Sequence, residues 1–436
     1  MLGLGLGAFF LPQLSQAALA GQPPPSARGM ILVLLEGGMS QLETWDPKPD
    51  APREVRGEFG TIATSLPDLR IGEHTPLLAQ EVHRGNLLRA VHCDARNDHS
   101  PGLHLLLTGY ENTAAGVAME TANLRCPSVG SILAWHLGVA DANGVPRFVG
   151  LPRRTQLNGA VNYNGPSFLG AGYGAFEAGD PPRTSQQLLA PPPGLVLPRD
   201  MPPERLRDRM ALARAFDRLS SHLERDTITA RIDAQYAQAL KVLTGRQMQE
   251  AFDIAREPPA LRRAYGDHPI GQGLLLARRL IDAGVTYVVV NTVREASWDT
   301  HANNFTQLKN VLLPPMDRGV AALLRDLDER GRLDEVLVVV AGEMGRTPIV
   351  NADAGRDHWT TAYSVFLAGG GLTRGQILGS TTPDGRYPAG RPTTVHEILA
   401  TAYQRLGVDP HGLLTDAEGR PVPILPESAP IAELLA

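Results

Sequence analysis

The stretch Val336–Trp359, VLVVVAGEMGRTPIVNADAGRDHW, decides the fold. Val336–Val340 is an unbroken run of β-branched and aliphatic residues, which suits a strand buried on both faces. It ends in a small-residue turn that carries Glu343 and Arg346, and the pair Asp357-His358 follows in the next loop. A carboxylate just past a buried strand, followed by a carboxylate–imidazole pair, suits a site at the carboxyl edge of an α/β sheet.

The same pattern recurs along the chain. Met30–Leu35 is an apolar strand followed directly by Glu36. Asn86–Val91 leads into His92, Asp94, Asn97, Asp98 and His99. Thr286–Val290 leads to Trp298-Asp299-Thr300-His301, and Tyr363–Leu367 closes the strand list. Helices are predicted over Pro76–Arg84, Ser128–Leu137, Ile270–Ala283, Phe305–Leu312 and Met316–Arg330, with Pro314-Pro315 separating the last two. Alternating helices and apolar strands predict an α/β fold, a mainly parallel central sheet with helices on both faces. In such a sheet the acids and histidines meet at one edge. Mixed Asp/Glu/His donors suit a divalent metal such as zinc, manganese or calcium.

Composition narrows the class. With 436 residues, 43% hydrophobic and 20% charged, the chain is ordinary globular material. A formal charge of −5 and no long basic run argue against nucleic acid or acidic lipid as partner. Leu2–Leu11 is apolar, breaks at Pro12 and reaches Ala18-Leu19-Ala20, an A-x-A pattern. Residues 1–27 therefore read as an export signal remnant and linker, placing the protein in the periplasm or outside the cell. No stable membrane span is expected, since polar residues interrupt this run. Residues 28–425 read as one domain, with a loop-rich insertion at about 144–203 and a helical layer at about 204–257. Cys93 and Cys126 lack zinc-site spacing, so they are either one disulfide or two buried thiols.

His104, in the apolar run LHLLL, reads as a core histidine; Glu43 and Asp46 read as turn residues. Arg346 and Arg356 either clamp an oxyanion or pair with neighbouring acids.

The segments LLEGGMSQLETWDPKPDAP, NDHSPGLHLLLTGY, GQGLLLARRLIDAGVTYVVVN with WDTH, and GEMGRTP with GRDHW resemble a large family of secreted bacterial proteins known as a domain of unknown function. That family is similar to sulfatases and to the alkaline phosphatase-like fold. The resemblance spans about residues 28–415. It implies an exported metal-dependent hydrolase of sulfate or phosphate esters. In it Glu36, Asp299, His301, Glu343, Asp357 and His358 are candidate metal ligands, His99 is base or nucleophile beside Asp98, and Arg346 stabilises the anion. The expected partner is an anionic small molecule or glycan ester. HSPGLHLLLTG matches the sulfatase Cys/Ser-x-Pro-x-Arg stretch in length and in its ending. However, His99 stands at the nucleophile, Leu103 at the arginine, and Met344 where a ligand is usual. These departures favour the alternative of a non-catalytic exported protein that binds an anionic glycan or envelope component.

Overall fold

The computed structural model describes residues 26–93, 97–111, 126–151, 156–157, 161–162, 165–178, 189, 205, 208, 246–292, 298–426 and 429–435. The chain is mixed α/β, built on a mainly parallel sheet. Its strands are β1 (Gly29–Leu34), β2 (Gly85–His92), β3 (Phe148–Leu151), β4 (Phe176–Glu177), β5 (Tyr287–Asn291) and β6 (Val336–Ala341). A separate two-stranded ladder, β7 (Gly345–Arg346) and β8 (His358–Trp359), intervenes before β9 (Tyr363–Ala368), β10 (Ile377–Leu378) and β11 (Thr393–Thr394). The order across the main sheet is β10-β2-β9-β6-β1-β5-β3-β4, with β11 also paired to β2.

β1 lies between β5 and β6 and is parallel to both, so Leu34 sits opposite Ala341 on one side and Asn291 on the other. The three longest apolar runs are thus neighbours. Their residues alternate between two cores. Ile31, Val33, Val288, Val338 and Val340 face one side, where they meet α1 (Pro76–Glu81), α4 (Pro269–Asp282) and α5 (Leu313–Glu329). Met30, Leu32, Leu34, Val289, Leu337 and Val339 face the other, against α2 (His99–Thr108), α3 (Val129–Leu137) and α6 (Val395–Arg405). A period of two with both faces covered is why no polar alternation shows in these strands.

β9 is antiparallel to both β6 and β2. Its beginning therefore lies at the edge where β1, β2, β5 and β6 end. That reversal delivers His358, just before β9, to the same place as Glu36, His99, Asp299 and Glu343.

Two expectations need correction. The stretch 144–203, expected as extended loops and short strands on the rim, contributes β3 and β4 to the central sheet beside β5. A four-residue strand, Phe148–Leu151, is too short to carry a periodic signal. The prolines 314 and 315 do not separate two helices. A turn at Asn304–Gln307 passes through a π-helical segment, Leu308–Leu312, into α5, with the prolines in its first turn. There their missing N–H groups are least needed. Of the two options for the cysteines, Cys93 and Cys126 are buried thiols. Most of the 204–257 layer, and the export segment up to residue 25, lie outside the described residues. Among those described, no helix is long and apolar enough to cross a membrane.

Candidate metal centre

The geometry at the carboxyl edge centres on Asp299. Its Oδ2 lies 3.1 Å from His99 Nε2, and its Oδ1 lies 3.0 Å from His301 Nε2 and 3.2 Å from His358 Nε2. The ε nitrogens of His301 and His358 are 3.0 Å apart. Each ring is held from behind. His99 Nδ1 is 2.6 Å from Glu343 Oε1, His301 Nδ1 is 2.7 Å from Asp357 Oδ1, and His358 Nδ1 is 2.9 Å from the Asn97 carbonyl. An acceptor at each Nδ1 places the ring N–H there and turns each Nε2 toward Asp299.

Local sequence explains this convergence. Glu343 accepts two bonds from the Gly37 N–H, at 2.9 and 3.1 Å, so the turns after β1 and β6 are locked together. Gly102 lies in the first turn of α2, where a Cβ would stand 3.0 Å from the Glu343 carbonyl oxygen. Its bare backbone lets the helix start approach Glu343. Gly355 is required more strictly, since a Cβ would sit 1.8 Å from the His301 carbonyl oxygen. Around it the loop closes on Asn351, whose Oδ1 accepts from the Asp353 and Gly355 amides. The Asn351 amide also donates to the His301 carbonyl and to Asp357 Oδ1. This Asn/Asp/Gly turn docks the GRDHW segment onto the WDTH segment.

The site is graded from dry to wet. Glu343 and Arg346 are fully buried, His99 nearly so, Asp299 and His358 are partly open, and His301 and Asp357 form the rim. Burial alone would push the Asp299 carboxyl up. Its bonds to His358 and His99 and the charge of Arg346 outweigh this and hold it far below the usual carboxylate range. Burial likewise disfavours the His99 imidazolium, but Asp299 and Glu343 on its two sides push it up to about 9. The bond from His301 lowers Asp357.

Ligand atoms of His99, Asp299 and His358 all lie within 4.8 Å of one another. Converging imidazole nitrogens around a carboxylate are an arrangement a divalent cation satisfies, and each Nδ1 has its outer-sphere partner. Without the ion, protons must serve, and His99 is the ring placed to carry one between two carboxylates. A divalent ion bound there would compete with that proton. Because the folded His99 lies above its ordinary 6.5, its contribution to the stability of the metal-free protein is full below about pH 6.5. That contribution is lost as pH rises through about 9. Metal affinity should run the opposite way, strengthening from about pH 6.5 to about pH 9 with proton release. Calorimetry in buffers of differing ionisation heat measures both, and pH-independent affinity across that window refutes it.

The sequence-derived candidates fall into distinct places. Asp299, His301 and His358 converge. Glu343 and Asp357 stand behind histidines, at Nδ1, and not among the converging Nε2 atoms. His99, expected as base or nucleophile, has Nδ1 on Glu343 and Nε2 on Asp299. Glu36 is buried and accepts from Asn291 Nδ2 at 2.5 Å. Asp98 is the N-cap residue of α2, with no side-chain cap bond, and Asp94 lies outside the described residues. Arg346 is not poised over open space. It is wholly buried, and its guanidinium is spent on Asp299 and on backbone carbonyls. Arg356 likewise pairs with Glu43, with Nη2 to Oε1 at 2.6 Å. His104 is a core histidine whose Nδ1 faces the Tyr110 carbonyl at 2.5 Å.

Sequence reading missed the Asn97 carbonyl and the Glu43 network. A backbone acceptor leaves no trace in residue type, and the Glu43 pair spans positions far apart in the chain.

Comparison with known proteins gives a consistent set of likenesses. The structure is similar to the PsFucS1 sulfatase from Pseudoalteromonas sp., at 12% identity over 92% of this chain and 72% of that one, with a TM-score of 0.40. It is similar to the alkaline phosphatase of the Antarctic bacterium TAB5, at 15% identity over 88% and 99% of the two chains, TM-score 0.36. The lipoteichoic acid synthase LtaP from Listeria monocytogenes aligns at 11% identity over 88% and 73%, TM-score 0.37. No curated protein matches the chain. A family model described as "Protein of unknown function (DUF1501)" matches residues 27–435, and the chain belongs to that family.

Proposed function

We propose that the protein is an exported, metal-dependent hydrolase of sulfate or phosphate esters, with one divalent ion held by His99, Asp299 and His358. The carrying observation is the convergence of Nε2 atoms on Asp299 with every Nδ1 occupied. When bound, the ion supplies Lewis acidity toward an ester oxygen. The protein's own part begins with Glu343 and the Asn97 carbonyl, which fix the tautomers of His99 and His358. His301 stands at the more exposed rim, oriented by Asp357, and is placed to take or give a proton at Nε2. Arg346 holds Asp299 from below. The ester class rests on the sequence resemblance between HSPGLHLLLTG and the sulfatase stretch. The absence of a serine or cysteine at position 99 supports direct attack by water over a covalent intermediate.

The test uses mature protein purified without chelator. Elemental analysis should find stoichiometric zinc, manganese or calcium. A panel of chromogenic sulfate and phosphate esters should then reveal hydrolysis that chelation abolishes and the same ion restores. Metal binding without turnover of any ester, together with retention on an anionic glycan, would favour the binding-protein reading, which Leu103 at the usual arginine position supports. Failure to take up any divalent ion would sink the metal-dependent reading.

A further inference from the structure

We infer that Arg346 is a positioning residue that keeps the Asp299-centred ligand set assembled before any metal arrives. The inference rests on the metal-centre reading and adds a role for a group that touches neither substrate nor ion. Arg346 is entirely buried beside the site. Its Nη2 donates to Asp299 Oδ1 at 2.5 Å and also to the Gly37 carbonyl. Its Nε donates to the Gly38 carbonyl at 2.9 Å, and its Nη1 to the Arg356 carbonyl at 3.1 Å. The backbone that carries it is pinned as well. The Arg346 amide donates to Gln41 Oε1, and Gln41 Nε2 donates to the Arg346 carbonyl, both at 2.9 Å.

One planar cation therefore ties together three segments that are remote in sequence. The first is the Gly37–Gly38 turn, whose Gly37 N–H holds Glu343 and through it His99. The second is the loop bearing Asp299 and His301. The third is residue 356, two positions before His358. A buried carboxylate without a countercharge is costly. Protons on the histidines can leave as pH rises, whereas a guanidinium keeps its charge. Arg346 thus supplies a permanent positive charge that holds Asp299 in place in the metal-free protein. The ion then meets a ready-made site and spends little of its binding free energy on ordering loops. Lysine cannot reproduce this, because a point charge on a flexible stem lacks the fork that reaches Asp299, Gly37, Gly38 and Arg356 together.

The experiment compares full-length wild type with Arg346→Met and Arg346→Lys, all stripped of metal. Amide hydrogen exchange is read at Trp298, Thr300 and Arg356, whose N–H groups bond the Glu36, Trp298 and Thr300 carbonyls. Exchange at these amides should quicken by about tenfold or more in both variants, while β6 amides hold their protection. Zinc and manganese affinity, measured by calorimetry, should weaken by roughly 10–100-fold in Arg346→Met, and by less in Arg346→Lys. If Arg346→Lys matches wild type in both readouts, charge alone suffices and the positioning role is wrong. Unchanged exchange at the three amides overturns it equally. If Arg346→Met does not fold, Arg346→Lys decides alone. Should wild type bind no metal, the proposed function fails, and exchange in the metal-free protein still decides the role of Arg346.

Discussion

Replacing Asp299 by asparagine is expected to weaken divalent-metal binding by at least about 100-fold and to reduce any ester hydrolysis by about 1000-fold or more. The expected loss is large because Asp299 is the common neighbour of His99, His301, His358 and Arg346. Asparagine keeps the shape and an oxygen for Arg346 Nη2, so the fold should survive. What disappears is the negative charge, which the bonds to His358 and His99 and the Arg346 guanidinium stabilise in the native protein. Alanine at 299 would also strand Arg346 beneath the site, mixing a stability defect with the binding defect, so asparagine is the cleaner probe. Glu343→Gln should give the milder loss of an outer-sphere partner, roughly 10–100-fold, because it weakens the orientation of His99 without removing a ligand atom. Asp98→Asn should leave metal affinity unchanged, since Asp98 sits at the N-cap of α2 and not among the converging groups. Calorimetric titration of the three variants checks the ranking. Wild-type affinity in Asp299→Asn would remove the metal centre from further consideration.

That ranking separates residues that look alike in the sequence. Asp98, Asp299, Glu343 and Asp357 are all acids beside a histidine or after a strand, and all were legible as candidates. The strands were legible because Met30–Leu34, Tyr287–Val290 and Val336–Val340 are buried on both faces and so are apolar without interruption. Their shared edge followed from parallel pairing. The division of labour at that edge did not follow. Whether an acid lies at Nδ1 or Nε2 of its histidine depends on loop docking, and here on Asn351 and Gly355 closing against His301. Arg346 shows the same limit. An arginine after a buried strand is compatible with an anion clamp or with a buried strut. Only its burial and its bonds to the Gly37, Gly38 and Arg356 carbonyls decide for the strut. Short β3 and the antiparallel β9 were harder still. Four residues carry too little pattern, and strand direction is not written in hydrophobic periodicity.

The Glu43–Arg356 pair should be the costliest ionic contact to break. Both side chains are fully buried. Glu43 accepts from Arg356 Nε at 3.0 Å and Nη2 at 2.6 Å, from Asn304 Nδ2 at 3.2 Å, and from the Ser40 hydroxyl. Arg356 also donates to the Val55 carbonyl at 2.8 Å and the Thr347 carbonyl at 3.1 Å, and it lies 5.9 Å from the Phe305 ring centre. Glu43→Ala leaves a buried guanidinium without its counterion, which typically costs about 3–5 kcal/mol. Most of that cost is the stranded charge and not the worth of the pair. The double variant Glu43→Leu with Arg356→Met should therefore recover a large part of it, because two apolar side chains of similar volume leave no charge to solvate. Urea unfolding of the single and double variants measures both effects. A loss below about 1 kcal/mol in Glu43→Ala would mean that water reaches the pair and that it behaves as a surface contact. The variant should also weaken metal binding, because Arg356 precedes Asp357 and His358 in the chain and its amide bonds the Thr300 carbonyl between Asp299 and His301. Stability and ligand geometry are coupled at this one residue, so a loss of metal affinity in Glu43→Ala that the double variant reverses would trace the coupling to the stranded charge.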